Sequence, residues 1–149
     1  MPVMERSAVV PLELDAAWEA FFGDRMQNWA RLSDMVVEVR DYRVRPDGTP
    51  EYVMVNRAGP LKASHRSDYK VYDPPHRAED DTLESSLGGR FITIHEAVDG
   101  GTRVTHRWDV EPHGIMKLLV PLMRRPMVKS FQKDLDDIAA RLGEPPTSG

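Results

Sequence analysis

The fold is decided by the last third of the chain, residues 91–142, which reads FITIHEAVDGGTRVTHRWDVEPHGIMKLLVPLMRRPMVKSFQKDLDDIAARL. Two strand-like segments within Phe91–Glu111 flank Asp99-Gly100-Gly101, a pattern typical of a three-residue hairpin loop. A long helical segment, Ile115–Leu142, follows the hairpin. Most of its apolar residues recur at three- and four-residue steps, so one helix face is apolar. These residues are Ile115, Leu119, Leu122, Phe131, Leu135, Ile138 and Leu142.

A helix with one apolar face has to bury that face against another layer of structure. The partner available in this chain is the concave side of a sheet. The preceding strands carry polar residues at both odd and even positions, so we expect that side to be more than plain core. The sequence therefore predicts a space between helix and sheet, of the kind in which small molecules bind.

The composition indicates one soluble globular domain and excludes several functions. The chain has 149 residues, of which 40% are hydrophobic and 30% charged. It contains no cysteine, which rules out disulfides, thiolate metal sites and cysteine nucleophiles. The net charge of −4 argues against nucleic acid as the main partner. We find no signal peptide and no apolar run near the roughly 18 residues that a membrane span needs, so we expect a cytoplasmic protein.

The order of the predicted elements is β-α-α-β6-α, which favours an α+β fold with an antiparallel sheet because the strands follow each other through short loops. Pro121 and Pro126 are expected to kink the last helix or break its first part, so that the helix proper could begin near Pro126. We expect a single domain over residues 1–143 and a flexible tail over 144–149. The predicted elements before the hairpin are a strand Val3–Val10, a helix capped by Asp15 and ended near Gly23, a helix Met26–Leu32, and strands Val36–Arg45, Tyr52–Arg57, Leu61–Tyr72 and Arg77–Glu84, with Ala58-Gly59-Pro60 as one of the turns.

Five short motifs carry a resemblance to a known superfamily. They are LELDAAWEAF (Leu12–Phe21), NWARL (Asn28–Leu32), KVYDPPHR (Lys70–Arg77), GGTRVTHRW (Gly100–Trp108) and LVPLMRR (Leu119–Arg125). In this order they resemble polyketide cyclase/dehydrase-type members of the START-like (SRPBCC) superfamily, which includes the birch-pollen-allergen-like proteins. The resemblance implies a helix-grip fold, a curved antiparallel sheet of six or seven strands wrapped on a long C-terminal helix with an internal cavity. Such proteins include cyclases, lipid carriers, hormone receptors and quinone binders.

The strand Leu61–Tyr72 leaves two alternatives open. Its alternation separates Arg66, Asp68 and Lys70 from the set that contains Tyr69 and Val71, and one of the two sets faces the cavity. Burial of charge is costly, which favours Tyr69 and Val71 inward and the charges in solvent. The resemblance favours the opposite register, because Lys70 stands where the aromatic polyketide cyclases have an arginine that points into the pocket. In that register Arg66 and Asp68 could pair, and Lys70 could polarise a carbonyl or stabilise an enolate.

The last strand places His106 and Trp108 on its inward face, together with Val104 and Val110. His106 is then either a hydrogen-bonded histidine packed against the helix or a general acid or base. Trp108 would form a flat wall for a ring or chain, or would be ordinary core.

The neighbouring strand turns either Ile92 and Ile94 inward, or Phe91, Thr93 and His95. A three-residue hairpin loop favours the isoleucines, whereas a four-residue loop, which matches the cyclases, favours His95 as a second candidate base.

Three further residues are candidates for contact with a ligand. Trp29 matches a pocket tryptophan of the cyclases, although it could also plug the core. Tyr52 and Met54 share one strand face with Asn56, and either this face or that of Val53 and Val55 could line the cavity. His65, His95 and His106 lack the spacing of a recognisable metal site, so we predict no metal.

Two functions from different classes follow from this reading. The first is a cofactor-independent cyclase or dehydratase, of the lyase or isomerase type, that positions a hydrophobic ketide-type substrate and applies general acid/base catalysis. Its candidate catalytic residues are His106, Lys70, Arg66, Asp68 and His95. The second is a non-catalytic carrier of a lipid, quinone or natural product, which needs an apolar cavity and no positioned base. A third alternative is a cavity filled by Met54, Met116 and Met123 in a protein that acts only through its surface. A homodimer is possible in each case.

Overall fold

The element order of the structure is the predicted β-α-α-β6-α. A computed structural model of the chain describes residues 3–58 and 61–143, so the turn at Gly59-Pro60 and the expected tail at 144–149 lie outside the described residues. The elements are β1 (Val3–Val10), α1 (Leu14–Phe22), α2 (Gln27–Leu32), β2 (Val36–Val44), β3 (Pro50–Ala58), β4 (Leu61–Asp73), β5 (Arg77–Leu83), β6 (Leu87–Val98), β7 (Gly101–Pro112) and α3 (Met116–Gly143).

The strands form one curved antiparallel sheet of seven strands, in the order β1-β7-β6-β5-β4-β3-β2. Helix α3 packs mainly on β1, while α1 and α2 contact each other and lie against β6 and β2, respectively. The three helices therefore cover the concave face of the sheet. This arrangement confirms the predicted helix-grip fold of the α+β class.

The two short helices place a layer of aromatic rings on the sheet. Helix α1 buries Trp18, Phe21 and Phe22, and α2 buries Trp29. The start of α1 differs from the prediction, because Glu13 holds the N-cap position and Asp15 lies in the first turn. A carboxylate in the first turn is still favourable, since it faces the positive end of the helix dipole.

The loop between β6 and β7 is shorter than either predicted length. Val98 pairs with Gly101, so the loop consists of Asp99 and Gly100, with Gly100 at a φ of +87°. A two-residue loop gives the same alternation as a four-residue one, because the two differ by a full period of the strand. Phe91, Thr93 and His95 therefore share the concave face, and the isoleucine alternative is wrong.

Helix α3 runs without interruption through Pro121 and Pro126, so the predicted break is absent. Each proline removes the hydrogen bond to the carbonyl four residues earlier, and those carbonyls belong to the exposed residues Lys117 and Leu122, where water can replace the lost donor. The predicted apolar stripe is buried only in its second half, at Phe131, Leu135 and Ile138, with Leu142 partly buried against the same core. In its first half, Ile115 and Leu122 are exposed.

A buried ion pair fixes α3 to the sheet. Arg6 on β1 is 3% exposed, and its Nη1 atom lies 2.9 Å from Oδ2 of Asp134 on α3. The same Nη1 donates to the carbonyl of Phe131 at 2.9 Å, and the Ser33 hydroxyl, just after α2, donates to Asp134 at 2.8 Å. Burial lowers the pKa of Arg6, and the adjacent Asp134 offsets part of that decrease. One cluster thus joins β1, α2 and α3.

Removal of one partner of this pair should leave the other charge buried and uncompensated. We expect Asp134→Ala to lower the free energy of unfolding by about 3–5 kcal/mol, and the double variant Arg6→Met/Asp134→Leu to recover most of the loss. Asp136→Ala, an exposed position on the same helix, is the control and should change it by less than about 0.5 kcal/mol. Urea unfolding measures all three, and equal values for Asp134→Ala and Asp136→Ala would contradict the role assigned to the pair.

Candidate functional site

A cavity of about 100 Å³ lies between the concave face of the sheet and the helices. This is of the order of the ~150 Å³ cavities that accept a benzene ring. Its wall comes from all seven strands and all three helices together with the segment after α2. The lining residues are Arg6, Phe22, Trp29, Ser33, Met35, Val36, Tyr52, Met54, Asn56, His65, Ser67, Tyr69, Asp80, Thr82, Phe91, Thr93, Trp108, Phe131 and Asp134.

The six residues expected to contact a ligand all lie on this wall. They are Trp29, Trp108, Tyr52, Met54, Phe91 and Thr93. Four of them are held by the alternation of β3 and β6, and the two-residue hairpin loop sets the register of the two on β6, Phe91 and Thr93. The resulting wall is aromatic toward α2, α3 and β7, and polar toward β4 and β5.

The expected row of catalytic charges on β4 is on the other side of the sheet. Lys70 is about half exposed, and its Nζ lies 2.8 Å from Oδ2 of Asp68. Asp68 also pairs with Arg45, and Arg66 is near Glu84 at 3.5 Å. None of the three expected residues lines the cavity. The inward face of β4 instead presents His65, Ser67 and Tyr69, because the charges pair more cheaply on the solvated outer face.

His106 faces inward, as expected, but its contacts are those of a packed, hydrogen-bonded residue. It is fully buried, and its Nδ1 accepts a 2.7 Å hydrogen bond from Nε of Arg6. Burial and the adjacent Arg6 hold the pKa of His106 well below its ordinary value, so the ring is neutral, with its proton on Nε2. The rings of Trp29 and Phe91, both on the cavity wall, are centred 5.3 Å from it. His106 lies behind those rings and does not line the cavity.

His95 is also inward and also away from the cavity. It is 1% exposed and packs edge-on against Trp18 and Phe21, with ring centroids 5.1 and 5.5 Å away. Burial lowers its pKa to about 4. Both ring nitrogens lack a hydrogen-bond partner among the described residues. A histidine with so low a pKa is a weak base, and His95 does not line the cavity, so it is poorly placed to exchange a proton with a ligand.

The residue that sequence reasoning missed is Asp80 on β5. It lies on the cavity wall, is 6% exposed, and forms no ion pair among the residues that the structure describes. Burial raises the pKa of Asp80 to about 7, and the nearby Asp81 and Asp68 add to the increase. The neighbouring Ser67 hydroxyl makes no hydrogen bond of normal geometry, but its proximity lowers the pKa of Asp80 and so offsets part of the increase due to burial. Asp80 can therefore both accept and donate a proton near neutral pH.

A pair of tyrosines lies beside Asp80. Tyr69 is the direct cross-strand partner of Asp80, and the Tyr69 and Tyr52 hydroxyls are 2.5 Å apart. Burial raises the pKa of both tyrosines, so both stay protonated. One hydroxyl donates to the other, which leaves the second hydrogen available to an oxygen of a bound molecule.

A third polar group on the wall is the pair formed by Asn56 and His65, whose Nδ2 and Nδ1 atoms are 3.1 Å apart. Burial lowers the pKa of His65 to about 4, so this histidine is a neutral hydrogen-bonding group. No cluster of three or more metal-ligating side chains occurs within residues 3–58 and 61–143. The wall thus combines one carboxyl that titrates near neutrality, the Arg6–Asp134 ion pair and several neutral hydrogen-bonding groups, which suits proton transfer to and from an uncharged molecule.

No helix among the described residues has the length and apolar character needed to cross a bilayer. No match was found among curated proteins.

Solved structures share the fold at low sequence identity. A protein from Thermus thermophilus is 15% identical over 95% of this chain and 97% of its own, with a TM-score of 0.77. A START superfamily protein from Mycobacterium smegmatis is 10% identical over 94% and 98%, with a TM-score of 0.71. The di-domain aromatase/cyclase StfQ of the steffimycin biosynthetic pathway is 14% identical over 93% of this chain and 49% of its own, with a TM-score of 0.70.

The family model described as polyketide cyclase / dehydrase and lipid transport matches residues 1–143. The match spans every described element, from β1 to the end of α3. The chain therefore belongs to the polyketide cyclase / dehydrase and lipid transport family.

Proposed function

We propose that the protein is a cofactor-independent enzyme of the cyclase/dehydrase kind, which enolises a hydrophobic ketide-type molecule held in the cavity. The observation that carries the proposal is Asp80, a buried carboxyl on the cavity wall whose pKa is raised to about 7 beside Tyr69. A base with a pKa near the working pH is the most effective for proton abstraction. Asp80 takes the role that the sequence suggested for His106 and His95, both of which lie behind the wall.

The proposed reaction needs only the groups on the wall. The Asp80 carboxylate removes a proton from the carbon next to a ketone, and the electron pair of the broken C–H bond moves to the ketone oxygen. Tyr52 or Tyr69 donates a hydrogen bond to that oxygen, which stabilises the enolate. The enolate carbon attacks a second carbonyl of the same molecule, and the protonated Asp80 returns its proton to the new alkoxide. The Asp80 carboxylate then removes the second proton from the same carbon, and the resulting enolate expels the hydroxyl group, which takes that proton from Asp80 and leaves as water while the new C=C bond forms.

The aromatic part of the wall supports substrate positioning. Trp29, Phe91 and Trp108 present flat apolar surfaces to a ring or chain, and the volume of about 100 Å³ suits a ring-sized portion of a substrate. A molecule held between these rings and Asp80 has its carbon nucleophile and carbonyl brought together, which is a large part of the work in a cyclisation.

A second candidate function is carriage of a hydrophobic molecule. The observation that favours it is the packing of both expected catalytic histidines behind an aromatic wall, so that neither of them lines the cavity. The family description also includes lipid transport. In a carrier, Asp80 and the tyrosines would only orient a polar headgroup of the ligand. Asp80→Asn would then change the ligand affinity, and there would be no catalytic rate to reduce.

The unusual pKa of Asp80 predicts a specific dependence of stability on pH. The folded state binds this proton more tightly than the unfolded state, whose aspartate has a pKa of about 3.9, so ionisation of Asp80 destabilises the fold as the pH rises toward 7. We expect the unfolding free energy of Asp80→Asn minus that of wild type to increase by about 1.4 kcal/mol per pH unit between roughly pH 4 and 7. Urea unfolding across this range measures the difference, in which the histidine contributions cancel. A flat difference would show that Asp80 titrates normally.

Enolisation can be tested without knowledge of the natural substrate. Cyclohexanone and 2-tetralone, ketones with one and two rings, exchange the protons next to the carbonyl for deuterium in D₂O, and NMR measures the rate. We expect wild type to accelerate the exchange and Asp80→Asn to reduce the acceleration at least tenfold, with ketone affinity changed less than threefold. The matched control is Glu79→Gln, which should exchange as wild type does, because Glu79 is the adjacent carboxyl on the outer face, paired with Arg77 at 2.8 Å.

Three outcomes would count against this assignment. Equal exchange rates for wild type and Asp80→Asn would refute Asp80 as the base. If Lys70→Ala lost the exchange activity while Asp80→Asn kept it, the catalytic residues would instead be the charged residues of β4, Arg66, Asp68 and Lys70. Ketone binding without any exchange in wild type would favour the carrier.

A further inference from the structure

The first turns of α3 carry an exposed apolar face. Ile115, Leu118 and Leu122 are 69%, 73% and 80% exposed, and they are three of the five large hydrophobic residues that the described part of the chain exposes. Their spacing of three and four residues places them on one side of the helix. We refer to residues 113–129 as the α3 tip.

The α3 tip is also strongly basic. It contains Lys117, Arg124, Arg125 and Lys129 and no acidic residue, in a chain whose net charge is −4. All four are exposed, and none forms an ion pair among the described residues. Arg125 and Lys129 follow Leu118 and Leu122 at seven-residue steps, so they continue the same helix face.

The α3 tip lies at the end of the molecule where β7 finishes, opposite the tight β6–β7 turn. The same helix then reaches the cavity wall at Phe131 and Asp134. Met127 and Val128 pack in a cluster with Trp108, another residue of the wall. A surface that engages the tip is therefore close to the side of the cavity formed by α3.

We propose that the α3 tip docks this protein on an anionic lipid surface. Protruding aliphatic side chains beside several cations are the arrangement by which a helix lies in the interfacial region of a bilayer, with the apolar face inserted and the cations at the headgroups. A second copy of the chain fits less well, because a symmetric contact would bring the two sets of four cations together. The proposal is independent of whether the cavity serves catalysis or carriage.

Vesicle cosedimentation tests this docking with the full chain. The vesicles are 100 nm in diameter, of phosphatidylcholine alone or with 30% phosphatidylglycerol. We expect binding to the anionic vesicles only, with at least a tenfold loss in 0.5 M NaCl because salt screens the cations. Leu118→Gln/Leu122→Gln and Arg125→Gln/Lys129→Gln should each weaken binding at least tenfold. The matched controls are Val44→Gln and Arg103→Gln, an exposed hydrophobic residue and an exposed cation elsewhere on the sheet, and both should bind as wild type does.

The substituted tip residues are exposed, so circular dichroism and thermal unfolding should match wild type in every variant. The proposal is overturned if wild type stays in the supernatant with both kinds of vesicle, or if the tip variants and the controls bind equally. It is also overturned if light scattering shows that wild type is a dimer which Leu118→Gln/Leu122→Gln converts to monomer, because a second copy would then occupy the tip.

Discussion

The structure depends first on the ion pair between Arg6 and Asp134. Both residues are almost completely buried, and the pair joins the edge strand β1 to α3, while Ser33 adds the end of α2. Arg6 also donates to His106 on β7, and its guanidinium lies 4.2 Å from the ring centroid of Phe131. A charge network of this kind contributes less to net stability than a matched apolar cluster would. Its hydrogen bonds have strict geometry, however, and they hold α3 at one position over the sheet, which leaves the cavity open beneath it.

The inward-facing histidines His106 and His95 differ from Asp80 in their position relative to the cavity. His106 and His95 lie in the aromatic layer, where burial keeps them neutral, and they act as packing groups. Asp80 lies on the wall beside Tyr69 and forms no ion pair among the described residues. Because no paired cation lowers its pKa, burial raises it. The carboxylates of the outer face differ in this respect. Asp68 pairs with Arg45 and Lys70, and its pKa is lowered. Position relative to the sheet therefore decides which carboxyl can exchange protons near neutral pH.

The sequence was sufficient for the fold because its signals were local. The hairpin turn, the helical spacing of the second half of α3 and the alternation of β7 each depend on neighbouring residues. The faces of β4 and β5 could not be assigned in the same way, since both carry polar residues at odd and even positions, and Asp80 was hidden in an acidic run. One signal was available and unused. Arg6 shares one face of β1 with Met4, Ala8 and Val10, and Asp134 lies within the apolar stripe of α3, so two opposite charges in two apolar faces could have indicated a buried pair. The exposure of Ile115 and Leu122 could not be predicted from the periodicity of apolar residues. Periodicity identifies an apolar helix face, but it does not show whether the sheet extends far enough to cover that face.

The proposed enolisation requires Asp80 to exchange a proton near neutral pH, in a cavity whose other charged lining groups, Arg6 and Asp134, are paired with each other. Carbon-detected NMR of protein labelled with ¹³C in the aspartate side chains follows the Asp80 carboxyl directly as the pH is varied, with Asp80→Asn to assign its signal. We expect the Asp80 carboxyl to titrate with a midpoint near pH 7. A midpoint near 4, the value of an ordinary aspartate, would contradict it.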